Sequence, residues 1–227
     1  MNLKKIDDLY KTIVGGNIAC YDGSQNRQEF LDCLCYLNQR IAEIDAADVS
    51  FLEIGAFKGI WAIAFKVLCE QNNKRPFYTT VTWLAHNPEN KSLLKVRDYY
   101  SAEKISFRLI DGNSSDGSVV REASGGSYHF VLIDGDHSYN AVLNDIANYM
   151  PLAKQLLLFH DINTRDCGVR KAINKSGVKL NIEISHGNIM GIGIHDANSP
   201  ETPLATGCFF KNLIAKAFAR LRRRVVA

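Results

Sequence analysis

Between residues 49 and 159 the chain alternates between two periodicities, and this alternation limits its fold more than any other feature. Five short, almost continuous apolar runs stand at 49–54, 77–84, 105–110, 129–133 and 155–159. Helix-like stretches separate them at 59–71, 89–102, 117–123 and 137–150, the last stopped by Pro151. Strands that are apolar on both faces must be covered on both, and strands joined through helices run parallel. The pattern predicts an α/β protein with a doubly wound, mostly parallel sheet. Two further runs, 179–185 and 190–194, flank His186-Gly187-Asn188 and add an antiparallel hairpin at one edge, giving seven strands. Ahead of the sheet, residues 2–14 read as a helix broken by Gly15-Gly16-Asn17. Residues 25–44 read as a second, with Ser24 as its N-cap and Phe30, Leu34, Leu37, Ile41 and Ile44 as one apolar stripe.

A chain of 227 residues that is 46% hydrophobic can bury one good core, so one domain over 1–227 is expected. Its parts are a helical cap (1–46), a cofactor-binding core (47–195) and a basic C-terminal helix (208–227). A net charge of +3 predicts no general affinity for nucleic acid. No run of eighteen apolar residues suits a membrane span, and MNLKKIDDLYKTIV has no signal-peptide apolar region. The six cysteines are scattered without a C-x-x-C pair, which reads as reduced thiols and a cytoplasmic protein.

The first strand and its helix read VSFLEIGAFKGIWAIAF, residues 49–65. Gly55 permits a tight turn, and Gly59 lets the helix pack closely or lets a ligand approach the main chain. The segment lacks the third glycine of a dinucleotide fingerprint, and it lacks the G-K-[ST] of a phosphate loop. Glu53, two residues before the first glycine, suits a ligand carrying a positive amino group and no phosphates. S-adenosylmethionine is such a ligand; an ordinary strand-to-helix turn is the plainer alternative.

E-I-G-A-F-K-G (53–59) resembles the first motif of class I S-adenosylmethionine-dependent methyltransferases. FVLIDGDHSYNAVLNDIANYMPLAKQLLLFHDI (130–162) resembles one branch of that family, the sugar and small-molecule O-methyltransferases and cephalosporin-hydroxylase-like proteins. The resemblance spans about residues 45–195 and implies a Rossmann-like fold with S-adenosylmethionine as cofactor. It implies that Glu53, Gly55, Ala56 and Gly59 line the methionine end, with Asp111, Asn113 and Ser114 beside the adenine and Asp134 closing the site. Phe57 would wall the cofactor, whereas Trp61 suits the core better. One position departs from the family: Ala85 stands where an acid normally binds the ribose hydroxyls. A hydrogen bond to a charged group is worth roughly 1.5–3 kcal/mol, so its absence would weaken binding by an order of magnitude or more. His86 or Asn87 are the neighbours that could substitute.

Asp134, Asp136 and His137 leave the fourth strand together, and His160 and Asp161 leave the fifth. Methyl transfer to an alcohol explains such a cluster, because a neutral hydroxyl needs its proton taken or its pKa lowered by a cation. His137 is the preferred base, since it titrates near neutral pH, with Asp136 next. By resemblance, Asp134, His160 and Asp161 match the positions that hold a magnesium-like ion in metal-dependent relatives. The histidine favours manganese over magnesium. His129, inside an apolar run, reads as a satisfied core residue, and Tyr139 as either packing or acceptor wall. In NTRDCGVR (163–170), Arg165 and Arg170 could meet an anionic acceptor group, though solvated surface arginines are the plainer reading.

FKNLIAKAFARLRRR (210–224) reads as a basic amphipathic helix, suited to an anionic membrane surface, to its own domain or to a second subunit. The expectation is an O-methyltransferase for a small hydroxylated acceptor, most plausibly a sugar in a glycan. The rivals weighed are a fold that has lost its cofactor, a nucleic-acid methyltransferase and a nicotinamide dehydrogenase. The nucleic-acid reading is disfavoured by charge and by the lack of an N/D-P-P-Y/F motif, and the dehydrogenase by the missing glycine.

Overall fold

The computed structural model describes residues 3–15, 26–86, 91–165, 167–186 and 190–198. The basic tail, Ser24, Asn87 and the tip of the proposed hairpin turn lie outside these residues. Two helices come first, α1 (Leu3–Ile13) and α2 (Arg27–Ala42). Asn26 caps α2, its side chain accepting from the amides of Gln28 and Glu29. There follow β1 (Asp48–Ile54), α3 (Ile60–Gln71), β2 (Arg75–Thr82), α4 (Lys91–Ala102), β3 (Ser106–Asp111) and α5 (Gly117–Ala123). The chain continues through β4 (Tyr128–Ile133), α6 (Tyr139–Tyr149), β5 (Ala153–Phe159), α7 (Val169–Ser176), β6 (Ile182–Ile184) and β7 (Ile192–Asp196). Pro151 lies in a 3-10 turn, Met150–Leu152, between α6 and β5.

The strands form one seven-stranded sheet in the order β3-β2-β1-β4-β5-β7-β6. The first five are parallel, while β7 runs antiparallel to both β5 and β6, the expected hairpin at the edge. Side-chain alternation sends Phe51, Tyr78, Phe130 and Leu156 to a core shared with α1–α4. It sends Leu52, Ile54, Val131 and Leu157 to a second core under α5–α7. The sheet is thus covered on both faces, as its continuous apolar strands require. The strand order reverses between β1 and β4, which opens a crevice at their carboxyl ends.

Among the described residues no helix is long and apolar enough to cross a membrane. Cys33, Cys35, Cys69 and Cys167 form no disulfide, and burial pushes the Cys33 and Cys69 thiols up. Arg170 is no acceptor-binding arginine here. It forks onto Glu183 at 2.6 and 2.8 Å, donates to the Ile162 carbonyl and Asn163, and so ties α7 to the edge hairpin.

Candidate active site

The turn after β1 is held from two sides. Gly55 has φ +90°, and a Cβ there would sit 2.3 Å from the Asp134 carbonyl oxygen. Only glycine lets the β1 and β4 turns touch at this point. The Gly55 amide donates to the Val81 carbonyl (2.9 Å), and the Ala56 amide donates to the Thr82 hydroxyl (2.7 Å), strapping the turn to β2. Gly59 caps α3 in a left-handed conformation, and a Cβ there would press on Leu93 and Val96 of α4 at 2.9–3.0 Å. Its smallness serves helix packing, not ligand approach, and Gly59 is absent from the cavity wall.

A cavity of about 710 Å³ occupies the crevice, within the usual ~300–1,000 Å³ of small-molecule sites. Glu53, Gly55, Ala56, Phe57, Asn113, Ser114 and Asp134 line it, as do Asp136, His137 and Asp161. Asp111 does not: its carboxylate accepts from the Leu84 amide at 2.9 Å and holds the turn after β2. Glu53 is buried and receives the Tyr78 hydroxyl, and burial raises its pKa well above the ordinary carboxylate value. Trp61 belongs to both wall and core, packing edge-on against Phe30. Its buried indole nitrogen has no hydrogen-bond partner among the described residues. A polar ligand in the cavity would satisfy that donor, so the cavity fits an amphiphilic cofactor such as S-adenosylmethionine. The sequence did not single out Thr82 or Trp83 for this wall, although Trp83 and His86 flank the departure at Ala85.

At the other end, strands β4 and β5 bring together the acids and histidines. His137 Nε2 lies 3.5 Å from Asp134 Oδ1 and 3.3 Å from Asp161 Oδ2. His160 Nδ1 lies 3.1 Å from the same Asp134 oxygen and 2.9 Å from Asp161 Oδ2. Burial alone would depress His160, but Asp134 and Asp161 push it up to about 10. Burial would likewise raise both carboxylates, yet the histidines hold them below their ordinary values. Contact with Asp134 raises His137 against the opposing effect of burial. Asp161 has φ +57°, an uncommon left-handed conformation for a non-glycine residue, and Thr164 donates to its second oxygen at 2.8 Å.

This geometry corrects the expected metal set. His160 is 2% exposed, and its Nδ1 is occupied by both carboxylates, so it lies behind them as a buried cation. His137 takes its place: donor atoms of Asp134, His137 and Asp161 lie within 4.8 Å of one another. His137 Nε2 is buried and in no well-aligned hydrogen bond, so the trio fits a cation that accepts nitrogen as well as oxygen. Asp136 stands exposed on the cavity rim, one carboxylate oxygen accepting from the Ser138 amide at 2.8 Å. His137 precedes α6 instead of lying in it. Its carbonyl accepts from the Gly168 amide at 2.7 Å, and a Cβ on Gly168 would strike Tyr139. Tyr139 packs against the second core. His129 is half-buried, its Nδ1 3.1 Å from the Ser50 amide and 2.9 Å from the Ser50 hydroxyl.

A methyltransferase-domain family model matches residues 52–162, the stretch holding both the glycine turn and the acid–histidine cluster. No curated protein matches the sequence. Solved structures share the fold at low identity. An O-methyltransferase family protein from Burkholderia thailandensis is 12% identical with TM-score 0.50; the match covers 88% of this chain but only 61% of that one. A class I S-adenosylmethionine-dependent methyltransferase structure from Listeria monocytogenes is 10% identical, TM-score 0.57, covering 90% and 71%. A methyltransferase from Podospora anserina, solved with S-adenosylhomocysteine, is 13% identical, TM-score 0.56, covering 84% and 86%.

Proposed function

We propose that this chain, a class I S-adenosylmethionine-dependent methyltransferase by its fold and its domain match, methylates a hydroxyl of a small acceptor, most plausibly a sugar. One observation carries the reading: a single cavity runs from the Gly55 turn to a carboxylate–histidine cluster able to take a proton. Bound S-adenosylmethionine supplies a methyl group already activated on sulfur, and a divalent cation would supply a lowered hydroxyl pKa. His137 is the proton acceptor in this reading, its imidazolium form favoured by Asp134 and Asp161 beside Nε2. His160, a fixed cation behind them, keeps both carboxylates ionised and oriented. The cavity walls would hold the reacting groups together.

A metal-assisted variant is favoured by the donor trio of Asp134, His137 and Asp161, and it leaves Asp136 at the rim as base. The test is methyl transfer from isotope-labelled S-adenosylmethionine to separate panels of sugars, phenols, amines and RNA, read by mass spectrometry. Products confined to hydroxyl acceptors support the reading. Transfer to amines or nucleic acid alone, or to nothing, overturns it. Turnover that survives exhaustive chelation selects the metal-free form.

A further inference from the structure

A buried acid in the helical cap is tied to the main chain beside the active site. Glu29, in the first turn of α2, is 1% exposed. Both its oxygens meet backbone of the β6–β7 connection. Oε1 accepts from the His186 amide at 2.7 Å, and Oε2 accepts from the Gly191 amide at 2.9 Å. Burying a carboxylate is costly, and hydrogen bonds to one are stronger than neutral bonds, so this contact is a clamp. Two weaker grips flank it at the surface. The Asn26 side chain donates to the His186 carbonyl at 3.1 Å, and His186 Nε2 lies 2.7 Å from Asp32 Oδ2.

The peptide unit between Met190 and Gly191 is held from both ends. Its N–H donates to Glu29, and its carbonyl accepts from the Asn163 amide at 2.6 Å. The Gly191 carbonyl, one unit on, accepts from the Ile162 amide at 3.3 Å. A hydrogen bond at one end of a peptide strengthens the bond at the other. Ile162 and Asn163 directly follow Asp161, which lines the cavity beside His137 with φ +57°. A non-glycine residue keeps such a conformation only where its surroundings over-determine it. Thr164 and Arg170 supply part of that constraint, and the 190–191 main chain supplies the rest.

We propose that Glu29 is a positioning residue for methyl transfer, fixing through the Met190–Gly191 peptide the turn that presents Asp161 to His137. This rests on the hydroxyl-methylation reading above. Glu29 itself touches no cavity atom, so it should govern the rate of the chemical step and leave cofactor binding alone.

The test uses the full chain with labelled S-adenosylmethionine and the hydroxyl acceptor found in the panel above. Glu29→Gln keeps the size of the side chain but has one oxygen where two are needed. A small misplacement of a reacting group is enough to slow chemistry, so kcat should fall about tenfold or more. KM for the acceptor and S-adenosylhomocysteine affinity by calorimetry should stay within about threefold. In the NMR spectrum the Asn163 amide proton should move upfield. Asp32→Ala, which breaks only the surface grip on the same helix, should leave both kcat and that resonance in place. Gly191→Ala presses a methyl group to 2.6 Å from Asn163 Nδ2 without touching α2, and should reproduce the loss of kcat. Should Glu29→Gln fail to fold, Gly191→Ala decides by the same criterion. Wild-type kcat in Glu29→Gln, an equal loss in Asp32→Ala, or an unmoved Asn163 resonance overturns the positioning role and leaves the methyltransferase reading standing. Wild type that methylates no hydroxyl acceptor removes that reading, and the positioning role with it.

Discussion

Four largely buried carboxylates divide the cavity's surroundings into two regions of opposite electrostatic character. Around the glycine turn and the β3 end, burial dominates. It raises Glu53 well above its ordinary value and pushes Asp145, on α6 beside Gly135 and Ser114, up to about 6. At the ends of β4 and β5 the same penalty is outweighed, and Asp134 and Asp161 are held low. The difference lies in what stands beside each acid. His160 and His137 stand beside the second pair, whereas a phenol hydroxyl is Glu53's neighbour and a serine is Asp145's. On the proposed reading, the first region would hold a ligand through shape and main chain, and the second would keep fixed charge where a proton moves. Separating acids by environment in this way is how one fold assigns binding and proton-transfer roles.

The sharpest way to break this division is to remove charge from the second region and watch the first. Asp161→Ala and His137→Ala are each expected to cut turnover by a hundredfold or more, about 3 kcal/mol of transition-state stabilisation. S-adenosylhomocysteine affinity, measured by calorimetry, should stay within about threefold. Unchanged turnover in both variants removes them from the mechanism, and lost affinity with it would mean that the two regions are not separable. Gly55 is where the regions meet. At Gly55→Ala a methyl group would be forced to 2.3 Å from the Asp134 carbonyl at φ +90°. The expected cost is about 3 kcal/mol, a melting-temperature fall of roughly 6–12 °C. A melt within 2 °C of wild type would show that the β1 and β4 turns can part freely.

The sheet was legible because parallel strands buried on both faces read as unbroken apolar runs, so even the edge hairpin could be placed. The binding end was legible in part. Gly55 announced the turn, but Gly59 was ambiguous between ligand approach and packing until α4 supplied Leu93 and Val96. Asp111 looked like a ligand contact, yet a backbone amide 27 positions earlier claims it. The exchange of His160 for His137 was not legible at all. Both leave strand ends in the sequence, and only the folded packing separates them, with His160 2% exposed and His137 on the cavity wall. The Arg170–Glu183 clamp spans two elements whose pairing no local pattern encodes.

Asp145 offers the mildest test of the division, because it probes whether the binding end really tolerates no charge. Its oxygens are in no hydrogen-bond geometry with a described partner, and the nearby Ser114 hydroxyl offsets only part of the burial penalty. In the unfolded chain this acid ionises near its ordinary 3.8, and in the folded chain only at about 6. Between those values the folded state keeps a proton the unfolded state has released. Stability therefore falls as pH rises through that window, and the full penalty persists above it. Roughly two pKa units set an upper bound of about 3 kcal/mol. Asp145→Asn cannot ionise but still buries a polar amide, so a net gain of about 1 kcal/mol at pH 7 is expected, with none at pH 4. Urea unfolding of both proteins at the two pH values measures it. An equal change at pH 4 and pH 7 would mean that Asp145 never bore a suppressed charge, and that a cation or solvent reaches this acid after all.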